Sequence, residues 1–157
     1  MESKGPLNLQ AVLPQLLPRA IDWAERQSDE ILSSGEALPE TGLRLARAVG
    51  VDKPELIRVR MVQALPLPED EDLREVALQT GLLGPGMVGL TLGYGIYVCE
   101  GHATNRLISR ECRHVYQYEQ AGSIRDFLPV YLQQIAIFGY DGCPLEIDAR
   151  THELDMV

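Results

Sequence analysis

Cysteine and long apolar runs are both scarce in this 157-residue sequence. The three cysteines, at positions 99, 112 and 143, are odd in number and form no CxxC pair. This pattern favours free thiols in a reducing cytoplasm over a disulfide framework. No apolar stretch reaches the roughly 20 residues that span a bilayer, and Met1–Pro6 lacks the apolar segment of a secretory signal. These absences predict a soluble cytoplasmic protein.

Positive charge is also in deficit, because 23 acidic and 14 basic residues give a formal net charge of −9. Nucleic acids and anionic membranes attract basic surfaces, so neither is an expected partner. The length suits one domain that buries a core without disulfides. No repeat or long linker is visible, so we expect a single domain over 1–157. Its helical and strand-forming first part (1–85) precedes a second part (86–157) that carries the motifs described below.

Hydrophobic periodicity predicts alternating helices and strands along the chain. The predicted strands cover 54–65 and 88–99, the latter as a strand or a hairpin. Pro14 and Pro18 predict a kink or a late start in the first helix, and Pro129 marks an alternative start for the fifth. A loop is predicted over 139–142. The predicted helices cover 9–34, 40–49, 69–81, 104–120, 124–138 and 144–154.

The string Arg110-Glu111-x-x-His114 lies within the predicted helix 104–120. Residues 110 and 114 are one turn apart and share a helix face, and residue 111 lies about 100° around from them. Zinc peptidases use this geometry for H-E-x-x-H, in which two histidines bind the metal and the glutamate activates a metal-bound water. Alone, the string also arises by chance in charged helices.

The surroundings of this string add information. A glycine-rich strand precedes it, and Gly139-Tyr140 and a further predicted helix follow it. From Gly89 to about Arg150, the sequence resembles the small bacterial zincin-like proteins. Their pattern is a strand, an H-E-x-x-H-x-x-Q-Y helix, then G-Y and E-x-x-A. The matching residues are Glu111, His114, Gln117, Tyr118, Gly139, Tyr140, Glu146 and Ala149.

The resemblance implies a zincin-like α+β fold with a small mixed or antiparallel sheet, an active-site helix packed under it and flanking helices. It implies Glu111 as general base, with His114 and Glu146 as two of three zinc ligands. We therefore expect His114 and Glu146 to lie within side-chain reach. The strand at 91–98 is implied as the edge that binds an extended substrate by β-augmentation. The residues assigned to this substrate edge are Thr91, Leu92, Gly93 and Tyr94.

Arg110 departs from the family pattern at the first metal-ligand position. A guanidinium has no acceptor atom and stays protonated, so it cannot bind zinc. It does bind carboxylates in a bidentate fork. Glu111 is adjacent along the helix and badly placed for such a pair. We therefore expect an Arg110–Glu146 pair to replace the metal as the tie between two helices. Arg110 should point toward the metal position and contact Glu146, Glu111 or both.

Ordinary structural roles are alternatives for each of these residues. Glu111 is alternatively a solvated helix residue, and His114 a hydrogen-bonded core histidine. Glu146, in the first turn after Pro144, also suits the positive end of a helix dipole. Cys112 and His114 point about 160° apart on a helix, so they cannot form a thiol–base pair. Cys112 is better interpreted as a small buried apolar residue.

Three functional classes follow from these observations. The favoured class is a degenerate metallopeptidase-like pseudoenzyme that holds no cofactor, catalyses no hydrolysis, and binds a peptide or protein partner in the retained groove. The alternative is an active metal-dependent peptidase or hydrolase. Its zinc would be held by His114, Glu146 and a further ligand, with His102 as the first candidate and His152 as a worse one. The third class is a helical interaction protein without an ancestral site.

Overall fold

The computed structural model describes residues 8–156, which form helices packed against a small sheet. None of the described helices is long and apolar enough to cross a membrane. The prediction about Met1–Pro6 concerns residues outside this range. The helices are α1 (Leu9–Ser34), α2 (Glu40–Ala48), α3 (Glu71–Thr80), α4 (Asn105–Ala121), α5 (Ile124–Gly142) and α6 (Pro144–Thr151). The strands are β1 (Glu36–Ala37), β2 (Arg58–Val62), β3 (Gly89–Leu92) and β4 (Gly95–Cys99).

The sheet is mixed and has the strand order β1-β2-β4-β3. β2 and β4 run parallel, whereas β1 with β2 and β3 with β4 run antiparallel. Alternate residues of a strand point to opposite faces. Ile96 and Val98 of β4 accordingly pack with residues of α2 and α4, whereas Tyr97 and Cys99 pack with residues of α1 and α5. Helices therefore cover both faces, which confirms a mixed α+β fold with a small mixed sheet.

Prolines interrupt two helices less than the sequence predicts. Asn8 caps α1, because its side-chain oxygen accepts a hydrogen bond from the amide of Gln10 at 3.1 Å, so the predicted late start is wrong. Pro14 and Pro18 lie inside α1 on its exposed side, where water can satisfy the carbonyls that lose an amide donor. Pro129 likewise lies inside α5, so the alternative start there is also wrong.

Several predicted boundaries shift by a few residues. The strand predicted over 54–65 is confined to β2, and a short 3-10 turn at Pro54–Leu56 precedes it. The predicted loop at 139–142 is helical apart from Gly139, whose φ of 74° breaks α5. The last helix ends at Thr151 and not at 154. These differences leave the order of the predicted elements unchanged, but the short strand β1 was not predicted.

α4 is the helix that brings the motif residues into the interior. Thr104 begins it, since the threonine hydroxyl accepts a hydrogen bond from the amide of Leu107 at 3.2 Å. Its apolar residues Cys112 and Val115 face the core with α2 and the sheet. Another buried part of α4 is polar, and its side chains bond β3, α6 and the segment after α6. The buried polar residues of α4 are Ser109, Glu111, His114 and Gln117.

Candidate functional site

His114 and Glu146 meet where α4 packs against α6. Nε2 of His114 lies 3.2 Å from Oε1 of Glu146, and the two side chains are only 9% and 5% exposed. Tyr131 of α5 donates a 2.6 Å hydrogen bond to the other carboxylate oxygen of Glu146. The structure thus brings together the two residues that the resemblance implies as zinc ligands, although 32 positions separate them.

Gln117 determines where the protons of His114 lie. Its amide nitrogen donates to the carbonyl of Leu145 and to Asp148, both at 2.9 Å. Its amide oxygen therefore faces Nδ1 of His114, at 2.8 Å. Because this oxygen can only accept, Nδ1 carries a proton. The contact between Nε2 and Oε1 of Glu146 requires one more proton, and the pKa directions of the two residues place it on His114.

The pKa shifts agree with this ionic assignment. Burial by itself lowers the pKa of His114, but the hydrogen bond and charge of Glu146 outweigh burial and raise that pKa from 6.5 to about 9. Burial raises the pKa of Glu146, but hydrogen bonds from His114, Tyr131 and Tyr140 lower it from 4.5 to about 2. Both residues are therefore charged at neutral pH, and each has the partners that a buried charge requires.

Glu111 is buried against β3 and is only 4% exposed, so its interpretation as a solvated helix residue is wrong. The Thr91 hydroxyl donates to Oε1 of Glu111 at 3.0 Å, and the other oxygen lies 3.4 Å from Nε of Arg110. Gly89 makes room for this carboxylate, because a Cβ at position 89 would lie 3.0 Å from the Glu111 carboxyl carbon. Glu111 is therefore held between an edge strand and its own helix neighbour.

The segment assigned to the substrate edge is a hairpin and not a single strand over 91–98. Thr91 and Leu92 belong to β3, which is at the edge of the sheet. Gly93 and Tyr94 form the turn, where Gly93 adopts a φ of 68°. The hydroxyl of Tyr94 donates to Glu119 at 2.8 Å, on the far end of α4 from Glu111. The edge residues are thus divided between a strand and a turn.

The backbone of β3 has a defined outward side. The amide of Cys99 donates to the carbonyl of Val88, so this pair hydrogen-bonds across the hairpin. Bonded and non-bonded pairs alternate in an antiparallel ladder. The backbone groups of Gly89 and Thr91 therefore point away from β4. One of them is already used, since the Thr91 carbonyl accepts from the Tyr118 hydroxyl at 3.2 Å.

Arg110 does not contact Glu146, so the expected pair between them is wrong. Its guanidinium lies 3.3 Å from Glu153 and 3.4 Å from Glu111. Of the two carboxylates expected to bond Arg110, the structure shows Glu111, although Glu111 is adjacent along the helix. His114 and Tyr131 already occupy both oxygens of Glu146. Each oxygen of Glu146 thus has a donor from another residue, and Arg110 is turned toward Glu111 and Glu153 instead.

Residues 153–155 lie along the first half of α4. Glu153 also bonds Arg106 at 3.1 Å, and the amide of Leu154 donates to the buried Ser109 hydroxyl at 2.8 Å. The side chain of Asn105 donates to the carbonyl of Asp155 at 2.9 Å. Glu153 was not predicted to join the site, because 43 positions separate it from Arg110 and no local pattern links the two residues.

The other two histidines do not join the pair. His102 is exposed in the turn before α4. Nδ1 of His152 donates to the carbonyl of Asp148 at 2.7 Å, at the end of α6. Within residues 8–156, no group of three or more His, Cys, Asp or Glu side chains is arranged to hold a metal ion. Cys112 is fully buried, and burial raises the pKa of its thiol to about 12, which suits an inert core residue.

Two supporting residues of the site were not assigned a role from the sequence. Gln117 could have been found, because residues three apart on a helix are neighbours and His114 is buried. Tyr131 had no such signal, because it lies on α5, whereas its partner Glu146 lies on α6.

Searches of protein-family models, curated proteins and solved structures give no match to this chain. Its function must therefore be inferred from the geometry of the site.

Proposed function

We propose that this protein is a zincin-like pseudoenzyme, a metallopeptidase-like scaffold that binds a partner without zinc and without hydrolysis. The convergence of Glu111, His114 and Glu146 in one buried site carries the proposal, because ordinary surface helices do not bury three such residues together. Arg110 at the first ligand position provides the argument against catalysis. The order of strand, motif helix and glutamate-bearing helix also suits this class.

The spacing of the retained ligands supports an ancestral metal site. Two ligands about 2.0–2.1 Å from a tetrahedral zinc stand about 3.3 Å apart. The nitrogen of His114 and the oxygen of Glu146 are 3.2 Å apart. In this protein a hydrogen bond joins the two atoms, at nearly the separation that two zinc ligands would have.

The donor set does not fit a catalytic zinc. Such a zinc needs three protein ligands and one open position, and His114 and Glu146 supply two. Both nitrogens of His114 are engaged in hydrogen bonds. Arg110 adds a fixed positive charge one helical turn away. We therefore assign no zinc and no hydrolytic step to this site.

The partner that we propose is an extended peptide or protein segment in the cytoplasm. It would align along β3, where the backbone groups of Gly89 and the amide of Thr91 face away from the sheet. Leu90 is half-buried, whereas the other residues of β3 are buried. The bound peptide would therefore approach the strand next to Leu90. The formal net charge of −9 makes nucleic acid and anionic membranes poor partners. The three cysteines are free and buried, as suits a reducing compartment.

Zinc content of purified protein tests this proposal. The wild type should purify with well under one zinc per chain, and the Arg110→His variant should approach one. Histidines at 110 and 114 would share a helix face, and Glu146 would complete three protein ligands. Arg110→Gln is the matched control, because it removes the charge without adding a ligand, and it should remain free of zinc.

Two outcomes would contradict the proposal in different ways. Stoichiometric zinc in the wild type would support the metal-dependent hydrolase, and loss of that zinc in His102→Ala would identify the third ligand. Absence of zinc from Arg110→His, in a folded variant, would show that the site geometry is not that of a zincin. Cleavage of a mixed peptide library by the wild type would contradict the assignment as a pseudoenzyme.

A further inference from the structure

An apolar cavity of about 140 Å³ adjoins Glu111, His114 and Glu146. It lies between α1, α3, α5 and β3, and aliphatic side chains such as Leu13, Leu16 and Val76 line it. Tyr118, Phe127 and Tyr131 stack along another side, with ring centroids 3.9 and 5.4 Å apart. The cavity is partly open to solvent, so a ligand that covers its apolar walls removes apolar surface from water.

At the charged end of the cavity, Glu111 is the carboxylate with more unused acceptor capacity, because Glu146 accepts from His114, Tyr131 and Tyr140. Both nitrogens of His114 and both carboxylate oxygens of Glu146 already have partners. Glu111 has one partner on each oxygen, at 3.0 and 3.4 Å. An ionised carboxylate can accept about four hydrogen bonds. Glu111 can therefore accept a further hydrogen bond from a group inside the cavity.

We propose that this cavity binds a free small molecule of the phenol class, with one aromatic ring and a neutral hydroxyl group. The volume is close to the roughly 150 Å³ of an apolar cavity known to take up benzene. Aromatic rings favour offset or edge contacts with other rings, which the stacked side of the cavity offers. The hydroxyl would donate to Glu111, whereas an anionic head would be repelled by it. This ligand is distinct from the proposed peptide and does not depend on the fate of zinc.

Trp23 provides a direct reporter of occupancy, because it is the only tryptophan and it lines the cavity. Its fluorescence, excited selectively, should change saturably when phenol is added to the wild type. Phenol should bind about tenfold more tightly than benzene, since a hydrogen bond to a charged group adds affinity. Benzoate should bind more weakly than either. Phenol should also raise the melting temperature in a concentration-dependent manner.

Two variants separate the hydrogen bond from the cavity. Glu111→Leu should bring the affinities for phenol and benzene to about the same value, because it removes the acceptor and keeps the apolar walls. Thr91→Val is the matched control, since it removes the hydroxyl that bonds Glu111 and leaves the carboxylate in place. It should keep the preference for phenol. Ala20→Phe, from the half-buried side of the cavity, should abolish binding of both probes.

Circular dichroism establishes that each variant is folded, and Glu111→Leu decides the question if Ala20→Phe does not fold. The proposal would be overturned if neither probe gave a saturable change in the wild type, or if phenol and benzene bound equally. It would also be overturned if Glu111→Leu kept the preference for phenol. Binding of an extended tyrosine-containing peptide without binding of free phenol would assign the cavity to a peptide side chain. Zinc measurements on Arg110→His are independent of all these outcomes.

Discussion

Several ionic contacts join α4 to the C-terminal part of the described chain, among them Arg113–Asp148 at 2.8 Å. Two of the others differ mainly in burial. The His114–Glu146 pair is 9% and 5% exposed. In the other contact Glu153 is 17% exposed, and its partners Arg110 and Arg106 are 24% and 65% exposed. Breaking a buried pair leaves an uncompensated charge in the interior, whereas water screens the loss of an exposed one. The two contacts should therefore differ several-fold in their effect on stability.

The comparison is informative because Arg110 and His114 are one helical turn apart on the same face. In the zincin-like class that we propose for this protein, both positions hold zinc ligands. Here His114 keeps its buried carboxylate partner, and Arg110 instead pairs with Glu111 and the C-terminal Glu153. His114 thus joins α4 to α6 in the interior, whereas Arg110 joins the first half of α4 to the segment that follows α6.

Glu146→Leu should give the largest loss of stability, on the order of 3–5 kcal/mol. The substitution leaves His114 buried without its counter-charge and removes the acceptor of the Tyr131 hydroxyl. Urea unfolding followed by circular dichroism measures the change in the free energy of unfolding. Glu153→Leu is the matched control and should cost much less. Equal costs for the two variants would remove the distinction between the two contacts.

A double variant sharpens this prediction. Replacement of a whole buried ion pair by apolar residues often costs little, because no charge is left without a partner. His114→Leu combined with Glu146→Leu should therefore be more stable than Glu146→Leu alone. A cost equal to the sum of the two single substitutions would show that the residues act independently.

Stability should also depend on pH through the buried pair. The pKa of His114 is about 9 in the fold against 6.5 ordinarily, so its contribution is complete below pH 6.5 and lost as pH rises through 9. The pKa of Glu146 is about 2 against 4.5, so its contribution is present above pH 4.5 and lost as pH falls through 2. The His114–Glu146 interaction contributes most of the favourable part of both shifts, so the two contributions do not add.

The stabilisation by this pair is therefore greatest between pH 4.5 and 6.5. On the alkaline side, the loss should amount to about 3 kcal/mol. Urea unfolding across this range measures it, and the His114→Leu/Glu146→Leu variant is the control for other titrating groups. The alkaline loss should be absent from that variant. The linkage places the change between about pH 6 and about pH 10, on either side of the two pKa values of His114. Equal wild-type stability at these two pH values would show that the pair is not ionic.

Much of the fold could be predicted from local sequence signals. The start of α4 and the strand-forming stretch around β2 follow from short-range patterns, and they lie within a few residues of the predicted positions. The boundaries at Pro14, Pro18 and Pro129 were harder, because a proline inside a helix is tolerated where its side is exposed or half-buried. Whether water can reach a carbonyl is a property of the packed structure and not of the local sequence.

The site was predictable only in part. The helix spacing around His114 and the family resemblance together predicted that His114 and Glu146 lie close together, and the structure shows this contact. The partner of Arg110 could not be found in this way, because it depends on which carboxylates other donors already occupy. Tyr131 and the C-terminal Glu153 reach the site from distant parts of the chain. Competition among several donors for one acceptor is decided by tertiary structure.

Arg110→Met should have an intermediate effect, about 1 kcal/mol. Methionine keeps the apolar stem of the side chain, so the loss comes mainly from the contacts with Glu111 and Glu153. The wild-type and variant free energies of unfolding give the difference. A loss as large as that of Glu146→Leu would mean that Arg110 is a buried charge partner. No loss at all would show that the guanidinium is merely solvated.

Glu153→Gln should have the smallest effect, about 0.5 kcal/mol at low salt. The exposed side of this contact, toward Arg106, is open to screening, so its contribution should shrink further as salt is added. The clearest readout is local. The amide of Leu154 donates to the Ser109 hydroxyl beside this contact, so its hydrogen exchange should accelerate in the variant. Exchange in the interior of α4 should stay unchanged, because His114 and Glu146 hold that part of the helix. Faster hydrogen exchange in both places would show that the two contacts open together, which would contradict their independence.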